Sequence, residues 1–131
     1  MQKINGWDKV KSLLLLVKDE YLSKGIAVAL MDYFTSIHST KNPFEAINIV
    51  KNKSIDLIIT EVEFNTLDTQ SYIDEIFRYI NQNTQVIIIK DEYLDMSKLK
   101  SNTDLIIFSK PLSIQKIINV VKSFENVIEK K

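Results

Sequence analysis

The residues able to do chemistry in this chain fall in short charged runs, each placed directly after an apolar run. Leu57, Ile58 and Ile59 lead through Thr60 to Glu61, Glu63 and Asp68. Leu13 to Val17 lead to Lys18, Asp19 and Glu20, and Val86 to Ile89 lead to Lys90, Asp91 and Glu92. Leu105 to Phe108 lead to Ser109, Lys110 and Pro111. Carboxylates brought together can hold a hard cation such as Mg²⁺. Carboxylates brought together with ammonium groups can instead satisfy one another as an ion network. Either outcome requires a fold that gathers the four runs at one edge.

Other chemistries are excluded by scarcity. Gly6 and Gly25 are the two glycines in 131 residues, so the glycine-rich phosphate loops of nucleotide-binding enzymes cannot be built. His38 is the single histidine and there is no cysteine, which removes histidine metal clusters, disulfide frameworks and thiolate sites. Seventeen basic and 17 acidic residues cancel, so no net field favours nucleic acid or an anionic membrane surface. The aliphatic run from Leu13 to Val17 is too short for a signal-peptide core or a membrane span. A cytoplasmic protein that binds neither nucleic acid nor membrane is expected.

The elements that must position the charged runs can be read from periodicity. The apolar runs Leu13 to Val17, Ile55 to Thr60, Val86 to Ile89 and Leu105 to Phe108 lack polar alternation, the pattern of strands covered on both faces. Ser36 to Ser39, with His38, is a further short strand. Leu22, Ile26, Ala29, Leu30 and Tyr33 have helical spacing, as do Tyr72, Ile73, Ile76, Phe77 and Ile80. Asn42-Pro43-Phe44-Glu45 predicts a helix start with Asn42 as cap, Pro43 in the first position and Glu45 closing a capping box, the helix running to about Asn52. Tyr93 to Asn102 offers only Leu94, Met96 and Leu99, so a fourth helix there should be short or frayed. Ser113 can cap a final helix carrying Ile114, Ile117, Ile118, Val121, Phe124 and Ile128. Five alternating units require right-handed crossovers and a parallel sheet with helices on both faces. The charged runs then share the sheet's carboxyl edge, where ligands bind in such folds. Met1 to Lys11 is expected to be an amino-terminal extension whose Trp7 docks on its own domain or, as the alternative, on a partner.

This order, with Glu61 after the third strand and Lys110-Pro111 after the fifth, resembles the receiver domain of response regulators. The resemblance covers residues 12 to 128 and implies an α/β, flavodoxin-like doubly wound five-stranded parallel sheet of order 2-1-3-4-5, with residues 12–131 as one receiver-like domain. It implies that Glu61 stands where the phospho-acceptor aspartate would be, that Lys18 and Asp19 occupy the metal-holding acidic pair, and that Lys110 contacts the phosphoryl group. If the first strand ends one residue later, Asp19 and Glu20 form that pair, and with Glu61 they are the weak candidates for a metal.

Four positions depart from the receiver pattern: Lys18 for the first acid, Glu61 for the acceptor aspartate, Lys90 for a Thr or Ser, and Ile107 for a switching aromatic. Glutamate is one methylene longer than aspartate, and a displacement of about 1 Å can slow a positioned reaction by on the order of 10²-fold. Lys18, Lys90 and Lys110 can substitute for the metal among Asp19, Glu61 and Glu63, so neither Mg²⁺ nor another cofactor is expected. The resulting expectation is a pseudo-receiver, not an enzyme, that signals in two-component fashion by protein contact without phosphorylation. A drifted but still phosphorylatable receiver is the alternative, and a small flavodoxin-like enzyme using Asp19, Glu61 and Lys110 is a third. The expected partner is a histidine kinase, an effector, a scaffold or a second copy, meeting the side formed by the fourth segment, the fifth strand and the final helix, through Ile107, Val120, Phe124 and Val127.

Overall fold

The computed structural model describes residues 11–97 and 105–129, with side chains to residue 124. Trp7 and the remainder of the extension before Lys11 lie outside the described residues, as does the side chain of Val127. Among the described residues nine elements follow in order: β1 (Ser12–Leu16), α1 (Glu20–Leu30), β2 (Ser36–Thr40), α2 (Pro43–Asn52), β3 (Leu57–Glu61), α3 (Thr69–Tyr79), β4 (Gln85–Lys90), β5 (Ile106–Ser109) and α4 (Ile114–Glu129). All strand pairs are parallel and the sheet order is β2-β1-β3-β4-β5. This is the doubly wound flavodoxin-like sheet that the resemblance implies.

The unbroken apolar runs have a simple cause. Successive side chains of a strand point to opposite faces, and both faces are covered. Leu14, Leu16, Ile58 and Ile88 pack with Ala46 and Val50 of α2 and with Tyr72, Ile73 and Ile76 of α3. Leu13, Leu15, Leu57, Ile59, Ile87 and Ile89 pack with Ile26 and Leu30 of α1 and with Ile117 and Val121 of α4. A polar residue at any of these positions would be buried without a partner.

Local signals place the helix starts. Asp19 caps α1 by accepting from the Leu22 N–H at 3.0 Å. Asn42 Oδ1 accepts from Phe44 N–H at 2.8 Å and Glu45 N–H at 3.4 Å, with Pro43 in the first turn. The expected return bond from Glu45 does not form: the Asn42 N–H is already taken by Thr40 Oγ1 at 3.1 Å. Ser113 caps α4, its carbonyl and hydroxyl oxygens lying 3.1 and 3.4 Å from the Lys116 N–H. The expected fourth helix is absent over Asp91–Ser97, which is turn and coil; its remainder lies outside the described residues. With Leu94 and Met96 as the apolar residues of that stretch, no helical stripe exists to hold it on the sheet. Among the described residues no helix is long and apolar enough to cross a membrane.

Gly25 sits where α1 meets the start of α4. A Cβ there would lie 2.9 Å from Ile114 Cδ1, so the missing side chain lets the two helices approach.

Candidate functional site

The carboxyl ends of β1, β3, β4 and β5 meet around Glu61. As the last residue of β3, Glu61 pairs with Ile89 of β4, and the preceding Thr60 pairs with Leu16 of β1. Alternation along β3 sends Thr60 toward α3 and Glu61 toward the opposite face. The Glu61 side chain is 3% exposed.

Both Glu61 carboxylate oxygens are engaged. Oε1 accepts from the Lys18 backbone N–H at 2.9 Å. Oε2 lies 2.5 Å from the Lys110 ammonium, a charge contact whose direction falls outside hydrogen-bond geometry. Lys110 also faces Asp91 Oδ1 at 3.6 Å. Its own N–H donates to the Lys90 carbonyl at 2.8 Å, and the Lys110-Pro111 peptide is cis. Burial pulls the Lys110 pKa down, but the contact with Glu61 and the charges of Glu61 and Asp91 outweigh it, leaving a net rise above the usual 10.5.

The other lysines are used differently. The Lys18 ammonium turns away from the Glu61 carboxylate, donating to the Glu63 carbonyl at 2.7 Å and lying 5.7 Å from the centre of the Phe64 ring. Glu63 thus enters through its backbone. The Lys90 ammonium donates to the Asp91 carbonyl at 3.2 Å. Asp19 is occupied as the α1 cap, and Glu20 pairs with Lys41 at 3.5 Å on the surface. Among the described residues, no three or more acids or histidines form a group able to hold a metal ion.

Sequence reasoning missed the support beneath Glu61. Thr60 Oγ1 donates to the Glu61 carbonyl at 2.6 Å and lies 2.8 Å from the hydroxyl of fully buried Tyr72. Since Thr60 already donates, Tyr72 is the donor in the second bond. Burial pushes the Tyr72 pKa up well above 10.0. Tyr72 meets the Phe64 edge, ring centres 4.9 Å apart and planes at 70°. A threonine beside the charged residue and a tyrosine in the following helix were the available signals, but neither fixes a hydroxyl's direction.

The deciding comparison is with solved structures. A receiver protein from Sinorhizobium medicae WSM419 superposes with a TM-score of 0.75 at 20% identity, covering 92% of this chain and 98% of that one. The fold is that of a response-regulator receiver domain. A CheY-like receiver from Methanospirillum hungatei JF-1 gives 0.76 at 13% identity over 93% and 98% of the two chains. The receiver domain of the hybrid histidine kinase CckA gives 0.68 at 19% identity over 86% and 97%. No family model matches the sequence, and no curated protein does. On the receiver frame Glu61 ends the third strand and Lys110-Pro111 follows the fifth. On the α4 side, Ile107 is 39% exposed on edge strand β5, while Val120 and Phe124 are half-buried against the core.

Proposed function

We propose that this chain is a signalling module that works by protein contact, an atypical receiver in which Glu61 is the fixed half of an ion pair and not a phosphoryl acceptor. The observation that carries this reading is the double engagement of the Glu61 carboxylate, by the Lys18 N–H and the Lys110 ammonium, in a site that leaves it 3% exposed. A nucleophilic carboxylate oxygen must reach a phosphorus atom in line with its leaving group. Here each oxygen would first have to give up its partner. The receiver fold supports a role in signal transduction, and with it a cytoplasmic location for the domain spanning residues 12–131.

Mg²⁺ has no part in this reading. A metal of that kind takes oxygen ligands in near-octahedral array, and the three candidate ligands already have protein partners: Asp19 in capping α1, Glu20 in Lys41, and Glu61 in Lys18 and Lys110. The partner is a protein: a histidine kinase, an effector, a scaffold or a second copy, meeting the β5–α4 side where Ile107 is exposed. Balanced charge argues against a nucleic-acid or membrane partner. Intact-mass measurement after incubation with a small-molecule phosphodonor and Mg²⁺ tests the central point. No gain is expected. A metal-dependent gain of one phosphoryl group mapped to Glu61, Asp19 or Glu63 would establish instead that this is a drifted but working phosphorelay receiver.

A further inference from the structure

Lys18 is bonded through both its ends. Its main-chain N–H holds Glu61 Oε1 at 2.9 Å, and its ammonium holds the Glu63 carbonyl at 2.7 Å while lying 5.7 Å from the centre of the Phe64 ring. One residue just beyond β1 thereby grips the charged end of β3 and the start of the loop that follows. That loop is pinned again at its far side, where Thr69 Oγ1 donates to the Val62 carbonyl at 2.8 Å. Phe64, placed beside the ammonium, meets Tyr72 edge-on, and Tyr72 is bonded to Thr60. A cation against a carbonyl oxygen and an aromatic face is favourable in both contacts.

We propose that Lys18 is the built-in cation of this site, a positioning residue whose ammonium fastens the β3–α3 loop so that no divalent ion is needed to hold it. The proposal rests on the reading of Glu61 as a fixed ion-pair member. It adds that the loop's conformation is set by a tethered charge and is therefore permanent. A free ion would come and go with its concentration; an ammonium on a side chain does not.

Amide hydrogen exchange followed by NMR tests this at two protected sites. One is the amide of residue 18, bonded to Glu61. The other is the amide of Tyr72, which closes the first turn of α3 on Asp68 at 3.0 Å. The variants are Lys18→Met, Lys18→Arg and Lys18→Asp, each with and without millimolar Mg²⁺. In Lys18→Met both amides should exchange about three- to tenfold faster, the loss expected for one charge-assisted hydrogen bond open to water. Lys18→Arg should restore protection to within about twofold, since the guanidinium keeps charge and donors. The wild-type protein should be indifferent to Mg²⁺, whereas Lys18→Asp should be loosened without it and regain protection with it. The ammonium is replaced there by a carboxylate beside the Glu63 carbonyl and Glu61. The proposal is overturned if Lys18→Met exchanges like wild type, if Lys18→Arg is no better than Lys18→Met, if Mg²⁺ protects the wild-type loop, or if Lys18→Asp ignores Mg²⁺. None of these outcomes depends on phosphorylation, so failure here and a phosphoryl gain in the mass experiment are separate results.

Discussion

Breaking the Glu61–Lys110 pair from its two ends should give unequal losses, and the inequality follows from burial. At 2.5 Å the Coulomb attraction is about 6–7 kcal/mol at an effective dielectric of about 20, but under about 2 kcal/mol in bulk water. Glu61 is almost fully enclosed and Lys110 is 34% exposed, so the pair lies between these limits, with desolvation of the carboxylate subtracted. A coupling of about 2–3 kcal/mol is expected, above the roughly 1 kcal/mol ceiling of exposed pairs. Lys110→Met leaves a buried carboxylate with the Lys18 N–H as its remaining partner, which should cost about 3–5 kcal/mol. Glu61→Gln leaves an ammonium that can turn to water and to Asp91, and should cost about 1–2 kcal/mol. Urea unfolding reads both. With a slope of about 2 kcal/mol per molar, the Lys110→Met midpoint should drop by about 2 M and the Glu61→Gln midpoint by less than 1 M. The double variant should lie above the sum of the singles. Additivity within about 0.5 kcal/mol, or a larger loss for Glu61→Gln than for Lys110→Met, would refute the assignment of a buried anion held by a half-exposed cation.

Alkaline pH should weaken the fold through two groups acting in the same direction. Lys110 and Tyr72 both have folded pKa values raised above their ordinary 10.5 and 10.0. Their contributions are complete below those values and are lost as pH rises beyond them, because the unfolded chain releases its protons first. Urea midpoints measured from pH 8 to 11.5 should fall from about pH 10 upward, and Tyr72→Phe should flatten that fall. At neutral pH Tyr72→Phe should cost only about 1 kcal/mol, since Thr60 keeps its bond to the Glu61 carbonyl and no buried donor is left unpaired. Gly25→Ala combined with Ile114→Val should come out near neutral in thermal unfolding, the helix gain over glycine of about 0.5–1 kcal/mol being offset by the lost Ile114 methyl. Gly25→Val alone should destabilise. Ile107→Glu should leave the circular dichroism spectrum unchanged and, where the partner is a second copy, weaken self-association in sedimentation; an association constant unaltered by the change would remove the β5–α4 side as the contact surface.

The sheet was legible in the sequence because its cause is legible. A strand covered on both faces must be apolar throughout, and β1, β3 and β4 were found within one or two residues of their ends on that ground alone. The start of α2 was legible for a similar reason, since Asn-Pro fixes backbone geometry by local chemistry. What periodicity cannot report is where the far end of a long side chain goes. Lys18, Lys90 and Lys110 follow three strands and read alike, yet only the Lys110 ammonium meets the Glu61 carboxylate; Lys18 reaches it through its main chain. Asp19 illustrates a competition that could have been weighed, because an aspartate directly before a helix is as much a cap as a ligand. Ile107, Val120 and Phe124 are assigned by sequence to one contact side, but the last two sit half-buried against the second core layer and Ile107 stands apart on the edge strand.

The position of Glu61 on the central strand carries a consequence for how any message could pass through this edge. Its strand is laddered on both sides, to β1 and to β4, so the carboxylate's root cannot shift without tearing the middle of the sheet. Lys110 leaves from the end of a strand laddered to β4, at the mouth of the segment that leads into α4. The pair therefore ties the middle of the sheet to its edge, where the Lys110 N–H is itself bonded to the Lys90 carbonyl. A load applied to the β5–α4 side would pass through Lys110 to a carboxylate anchored in the middle of the sheet.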